Sequence, residues 1–449
     1  MNKSTWIFLI FVGALGGFTF WDFYSDKKTE DTKTQNSVLI PYDVNQIQSF
    51  SISSENQKIT LDKTVDGWKL IAPLQDFADS PVVEEFLSQL TQQKSLSVIS
   101  KVAPDISIYG LKKPIGEISI THQNKQRLTI EIGSEKTVEQ NSYLRKKEAG
   151  MIVVGGPEWN TWIQKTPSEF RDRRFLRSKM SSITEIEVKN SSGGLKLKKT
   201  DNTWTLAGNP EIQQDQNRIR EMLNQFTLTK ADEIILEKNI SAADKYKYNL
   251  DNPQIQLTLK ISDKLWSGQL SQTKDKAVYA ITSDPVFLMR LEESLFNKLK
   301  GLKKLSFKDR SEIFQFNKDQ ARKIELKTSL KKQSLILKDS KWTLDSSDAS
   351  LSVDHEKVTA FLDNLKKLGL VDFIEESKNE KNKNLIEIRI TDDQNKLIFE
   401  LQASEPVKKK LYDIERNLRQ AKTNLSQNYF YIEQSEIDKL KLSEMISKK

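Results

Sequence analysis

The sequence predicts an α+β fold: an N-terminal transmembrane helix followed by three tandem units, each an antiparallel β-meander with one packed amphipathic helix. Three observations predict it. Tryptophan recurs in a strand-like setting at Trp68 ("DGWKLIAP"), Trp204 ("NTWTLAGNP") and Trp342 ("SKWTLDSS"), spaced by 136 and 138 residues. Each tryptophan follows two short alternating segments and precedes a helical apolar stripe. The chain opens on an apolar run with no charged residue from Trp6 to Trp21.

That run holds 16 residues, or about 24 Å of helix at 1.5 Å per residue. It is slightly short of the roughly 30 Å hydrocarbon core, and Trp6, Trp21 and Tyr24 extend it as interfacial aromatics. Ala14-Leu15-Gly16 offers a cleavage-like site, but Phe18, Phe20 and Trp21 carry the apolar run past it, which favours an uncleaved anchor over 1–24. A core helix is the bland alternative and fits poorly at the extreme N-terminus. Lys3 precedes the span, whereas Lys27, Lys28 and Lys33 follow it among Asp22, Asp26, Glu30 and Asp31. The charges therefore do not settle orientation. The short tail ahead of a large body is the signal-anchor arrangement, with the N-terminus inside and the body on the extracytoplasmic, periplasmic side. Residues 25–40 read as a polar stalk.

In the first unit (41–178), "IQSFSI" and "KITLDK" precede Trp68; in the second (179–316), "ITEIEV" and "GLKLKK" precede Trp204; in the third (317–449), "ARKIEL" and "SLILKD" precede Trp342. Alternation of period two marks half-buried strands. The following helices carry Val83, Phe86, Leu87 and Leu90; Ile219, Met222, Leu223 and Phe226; and Val358, Phe361, Leu362 and Leu365. This i, i+3, i+4, i+7 spacing makes one buried stripe. Ser80 ahead of Pro81, then Asp215 and Asp354, are the expected caps. Further strands follow, among them "GEISITH", "RLTIEIG", "QIQLTLKI" and "LIEIRIT". His122 and His355, the two histidines, are expected to be exposed polar residues at element ends.

Two motifs recur besides the tryptophan. "YGLKKP" (Tyr109, Leu111, Pro114) returns as "YNLDNP" (Tyr248, Leu250, Pro253). Gly or Asn at its second position suits a turn of positive φ, Leu is expected to plug the core, and Pro extends the residue before it. "FRDRR" (Phe170, Asp172, Arg173) returns as "FKDRS" (Phe307, Asp309, Arg310), each time just before a new strand pair. A structural joint is expected, with the phenylalanines as anchors and the aspartates paired with the neighbouring arginine or with backbone amides; a ligand-binding role is the alternative.

This set of motifs resembles the bacterial domain-of-unknown-function family 4340, over roughly residues 40–315. The resemblance implies a membrane-anchored protein with an exported repeat region, commonly encoded beside an ABC-type ATPase and permease and a gliding-motility-type auxiliary protein. The third unit keeps Trp342 and its helix but lacks the Tyr-x-Leu-x-x-Pro and Phe-x-Asp-Arg motifs. Its Tyr429-Phe430-Tyr431-Ile432 is read as a displaced terminal strand. The family brings no catalytic residues to transfer.

Composition narrows the function. The net charge of +8 comes from lysines scattered among 62 acidic residues, with no Arg-rich arm, so nucleic acid is not an expected partner. A chain with no cysteine has no disulfide, thiolate nucleophile or lipobox. The two histidines fall in different units, and no cofactor or metal is expected. Glu84-Glu85 and Glu375-Glu376 are adjacent pairs that point apart on a helix, and no P-loop, G-x-S-x-G or H-E-x-x-H pattern occurs. The expectation is a non-enzymatic, membrane-anchored accessory or scaffold subunit of an envelope complex, touching the bilayer through residues 6–24 and other membrane-complex subunits through its body. A lipid- or glycan-binding module using grooves between units is the alternative.

Overall fold

The computed structural model describes residues 37–100, 105–329, 331–345, 351–374, 385–411, 414–440 and 444–448. The expected anchor at Trp6–Tyr24, the stalk up to residue 36 and the Glu375-Glu376 pair lie outside the described residues. Among the described residues no helix is long and apolar enough to cross a membrane. The chain divides into two compact units, Met1–Arg173 and Arg174–Lys449.

The first unit is built on one antiparallel sheet. β1 (Ile47–Ser54), β2 (Lys58–Thr64) and β3 (Gly67–Ala72) form a meander, and β4 (Asp76–Phe77) adds a short edge. Helix α1 (Ser80–Thr91) carries the chain to the opposite edge, where β5 (Ser97–Ser100) lies. β6 (Gly116–His122) returns beside β1, and β7 (Arg127–Lys136), β8 (Ser142–Lys146) and β9 (Met151–Gly155) fill the space to β5. The order is β4-β3-β2-β1-β6-β7-β8-β9-β5. Phe50 and Ile52 alternate toward the helix stripe of Val83, Phe86, Leu87 and Leu90, all in one core. Two short helices that the sequence reading did not foresee, α2 (Glu158–Trp162) and α3 (Pro167–Phe170), add Trp159, Trp162 and Phe170 to that core. The stalk expected over 25–40 is corrected at its end. Leu39 and Ile40 are buried in the core, and the Ser95 N–H donates to Ser37 O at 2.9 Å.

The second unit holds two larger sheets. In one, β10 (Ile183–Asn190), β11 (Leu195–Thr200) and β12 (Thr203–Leu206) precede α4 (Gln216–Leu228), β13 (Glu233–Glu237) and α5 (Ala242–Lys247). β14 (Ile255–Ile261), β15 (Lys264–Gln272), β16 (Val278–Ser283) and β17 (Val286–Leu291) follow, then α6 (Glu293–Lys300). The order, β12-β11-β10-β14-β15-β16-β17-β13, matches the first sheet without its short edge strand.

In the other, β18 (Lys323–Lys327), β19 (Lys332–Lys338), β20 (Lys341–Leu344) and β21 (Leu351–Val353) precede α7 (His355–Lys366) and β22 (Asp372–Phe373). β23 (Ile386–Thr391), β24 (Leu397–Ala403), β25 (Val407–Leu411), β26 (Ile414–Thr423), β27 (Phe430–Glu433), α8 (Gln434–Asp438) and β28 (Ile446–Lys448) follow, and β21 and β28 pair apart from the large sheet as a two-stranded one. The main path is β20-β19-β18-β23-β24-β26-β27-β22, and β25 extends the sheet as a hairpin with β26.

All three sheets thus share a meander, a helix crossing to the far edge, and a second meander that fills back toward it. The expected limits shift. Phe175 and Leu176 already belong to the core of the second sheet, so the first division falls after Arg173 rather than at 178. Phe307 packs in the core of the second sheet, whereas Leu305, Ile313, Phe314 and Phe316 pack in that of the third, so residues 305–316 serve both. Tyr429–Ile432 does not form a terminal strand: β27 is internal, between β26 and β22.

Candidate functional site

The three tryptophans occupy one structural position. Each is buried on the last strand of the first meander, and its backbone N–H is bound by the first residue of the following helix. Trp68 N–H donates to Ser80 Oγ at 3.1 Å, Trp204 N–H to Gln216 Oε1 at 2.8 Å and Trp342 N–H to His355 Nδ1 at 3.4 Å. Gln216 Nε2 also donates to Trp204 O at 2.9 Å and to Gln214 O at 3.0 Å, so its amide pairs with the strand edge as a peptide group would. The expected cap at Ser80 is corrected: Asp79 holds the cap position, and the Ser80 hydroxyl serves Trp68. His355, expected to be an idle polar residue, is exposed but accepts this bond.

The "FRDRRFL" motif closes the first unit. Asp79 N–H donates to Phe170 O at 2.8 Å and Asp172 N–H to Phe77 O at 3.0 Å, bracketing a bridge between Ala78 and Arg171. Phe170 is buried against the rings of Phe50 and Phe86 at 5.7 and 5.3 Å. Arg171 makes a short ion pair here, its Nε donating to Asp76 Oδ2 at 2.5 Å, with Arg171 buried and Asp76 largely so. Asp172 itself is 3% exposed.

The second sheet repeats the ladder. Asp215 N–H donates to Phe307 O at 2.7 Å and Asp309 N–H to Gln213 O at 2.9 Å around a Gln214–Lys308 bridge. Asp309 Oδ1 accepts from Ser311 N–H at 2.8 Å, and Arg310 Nη1 donates to Leu370 O at 3.2 Å.

The third repeat, which by sequence lacks this closure, has one in the two-stranded β21–β28 sheet. Val353 pairs with Ile446, and Asp354 N–H donates to Met445 O at 3.1 Å. Buried Met445 stands where Phe170 and Phe307 stand. The signal was weak because backbone pairing asks only for an extended segment with one buried apolar residue.

The Tyr-x-Leu-x-x-Pro segments lie elsewhere. Gly110 and Asn249 adopt φ of 68° and 60°, a region that suits Gly and tolerates Asn. Leu111 and Leu250 are each 1% exposed but fall outside the main cores. A Cβ on Gly133 would come 2.0 Å from Tyr109 O, so glycine lets the segment lie directly on β7. The Tyr109 and Tyr143 rings meet at 5.0 Å, and Tyr248 and Tyr279 at 4.6 Å. Pro114 and Pro253 end the two segments just ahead of β6 and β14.

Titratable groups cluster on the first sheet. Buried Glu131 pairs with Arg145 at 2.5 Å and Lys147 at 3.3 Å, and Lys147 reaches Glu117 at 3.2 Å. Hydrogen bonds to Glu117 and then Glu131 hold the Lys147 ammonium above the usual lysine range. This cross-strand set balances its own charge. Among the described residues, no group of three potential metal ligands converges.

A cavity of about 440 Å³ opens between α4 and α6 in the second unit. Met222, Phe226, Leu295, Leu299 and Phe307 line it, with Arg218, Glu221 and Lys298 also at its wall. Arg218 Nη1 donates to Ser306 O at 2.8 Å, and its guanidinium sits 5.7 Å from the Phe307 ring centre. Lys298 Nζ donates to Gln225 Oε1.

No curated protein and no solved structure matches the chain. A family model described as "Domain of unknown function (DUF4340)" matches twice, over residues 68–253 and 204–387. Each match begins at one of the recurrent tryptophans, Trp68 or Trp204, and together they span more than half of the chain. The chain belongs to the DUF4340 family.

Proposed function

We propose that this chain is a non-enzymatic, membrane-anchored accessory subunit of a bacterial envelope complex, working beside an ABC-type transport system. Its body is three copies of one α+β unit, closed at Phe170–Asp172, at Phe307–Asp309 and at Met445–Lys448. The observation that supports this most is the recurrent closing ladder. The residue before the helix cap (Ala78, Gln214, Val353) pairs with the residue after a buried apolar anchor (Arg171, Lys308, Ile446). Motifs that recur in the sequence are thus occupied with backbone pairing and core packing. Repeated units supply extended surface for partners more readily than a single reaction pocket. The uncharged Trp6–Trp21 run is the tether, with the body on the extracytoplasmic side.

Affinity isolation of the intact protein from detergent-solubilised membranes tests the reading. Transporter-type membrane subunits are expected to co-elute. Recovery of the protein alone from the soluble fraction refutes it. Protease added to spheroplasts is expected to digest the body; full protection refutes the assigned orientation.

A further inference from the structure

We propose that the end of the first unit where the chain enters rests in the membrane interface, with Val38, Leu96, Ile108 and Val138 seated at headgroup depth in the bilayer that holds the anchor. The proposal rests on the anchor reading of Trp6–Trp21 and adds a second membrane contact, made by the folded body.

Hydrogen bonds and strand register gather these residues round the entry point. Ser95 N–H donates to Ser37 O at 2.9 Å and the next amide, Leu96 N–H, to Val154 O at 2.8 Å, so the entering chain meets the C-terminal end of β9. Val38 bridges to Lys94 beside it. Val154 pairs with Tyr143, whose ring meets that of Tyr109, the residue after Ile108. Lys136 pairs with Ser142, and the β7–β8 turn between them carries Val138.

Val38, Leu96, Ile108 and Val138 are 42%, 48%, 64% and 95% exposed. A lone exposed apolar residue is ordinary, but several gathered at one end mark a contact surface. The second unit fixes the same positions with the same bonds and fills them with charge. Arg174 bridges to Lys230 as Val38 does to Lys94, and Asp232 N–H donates to Arg290 O as Leu96 does to Val154. Lys247 precedes Tyr248 as Ile108 precedes Tyr109, and Lys274 takes the place of Val138 in the β15–β16 turn. The fold therefore does not require apolar side chains at these places.

The occupant follows from what precedes Ser37, the described residue closest to the anchor in sequence. Residues 25–36 separate it from Tyr24, and these 12 residues reach at most about 43 Å at roughly 3.6 Å each. Tyr109 and Tyr143, both half-buried, are residues suited to the interface. The charges at this end are mixed, Lys94, Lys112 and Lys136 against Glu135 and Glu139. Apolar insertion rather than charge attraction thus holds the contact, and zwitterionic lipid suffices.

The chain has no cysteine, so single-cysteine variants of the full chain can carry an environment-sensitive fluorophore. The sites are Leu96→Cys, Val138→Cys, Phe8→Cys in the anchor, and Val65→Cys. Val65 is fully exposed on the β2–β3 turn, at the opposite end of the sheet. Each variant is placed in phosphatidylcholine vesicles with and without lipid bearing a nitroxide high on its acyl chain. Labels at Phe8, Leu96 and Val138 are expected to lose fluorescence to the nitroxide, and the label at Val65 to keep it. Leu96→Asp with Ile108→Lys, the charges of the second unit, is expected to release the Val138 label while the Phe8 label stays quenched. Quenching at Phe8 without quenching at Leu96 and Val138 overturns the docking and leaves the anchor standing, with this end open to a protein subunit instead. Absence of quenching at all four sites overturns both. Equal quenching at Val65, or quenching at Val138 indifferent to the two added charges, overturns the docking.

Discussion

Replacing Gln216 with methionine removes three hydrogen bonds while keeping a side chain of similar length. The bonds lost are Trp204 N–H to Oε1 at 2.8 Å, and Nε2 to Trp204 O at 2.9 Å and to Gln214 O at 3.0 Å. A typical intramolecular hydrogen bond contributes about 0.5–1.5 kcal/mol net. These are partly exposed, so water recovers some of the loss and the lower half of that range applies, giving about 2 kcal/mol for the three. The damage is local, because Trp204 lies on β12 at the sheet edge with no strand beyond it. Hydrogen exchange read on peptides covering β12 is therefore the suitable assay. If the edge opens independently of global unfolding, the Trp204 amide should exchange about 30-fold faster. Unchanged exchange at Trp204 with an unchanged unfolding midpoint would show that the amide does not secure the edge, and the reasoning fails.

Further substitutions probe the local chemistry. Gly110→Ala should destabilise by more than the roughly 1–2 kcal/mol cost of a left-handed residue. Its Cβ would also meet the Ser134 backbone nitrogen at 2.5 Å; Asn249→Gly, at φ 60°, should be nearly silent in thermal unfolding. Asp215→Ala and Asp354→Ala each remove a side chain that accepts two helix N–H groups. Each should cost about 1 kcal/mol, seen as a lower denaturant midpoint, and Asp→Asn at either position should recover most of it.

Much of the fold was legible because burial imposes periodicity. All twelve stripe residues of the three main helices are buried, and strands such as "QIQLTLKI" alternate as pairing on one covered face requires. The short helices α2 and α8 escaped notice because one turn is too brief to show a period. The tie between each tryptophan and its helix escaped for a chemical reason. A hydroxyl, an amide and an imidazole all accept the same N–H, so the contact recurs without a recurrent residue type. Met445 was missed likewise, since a buried thioether fills the place of a phenyl ring and the pairing beside it is made by the backbone. The α4–α6 cavity could not be read at all, because it depends on how residues some 80 positions apart meet, Arg218 against Leu299 and Phe307.

The central claim is that the recurrent Phe-x-Asp motifs close structural units and are not ligand sites. Asp172→Ala in the full chain tests it most directly, with the denaturant midpoint and recovery of membrane partners measured on the same preparation. Asp172 is 3% exposed, and truncating so buried a polar side chain, which leaves the groups around it without its bonds, costs roughly 1–3 kcal/mol. A clearly lowered midpoint, with partners still recovered under conditions where the variant remains folded, is the predicted result. Unchanged stability together with lost partners would contradict the account and make the motif a binding site.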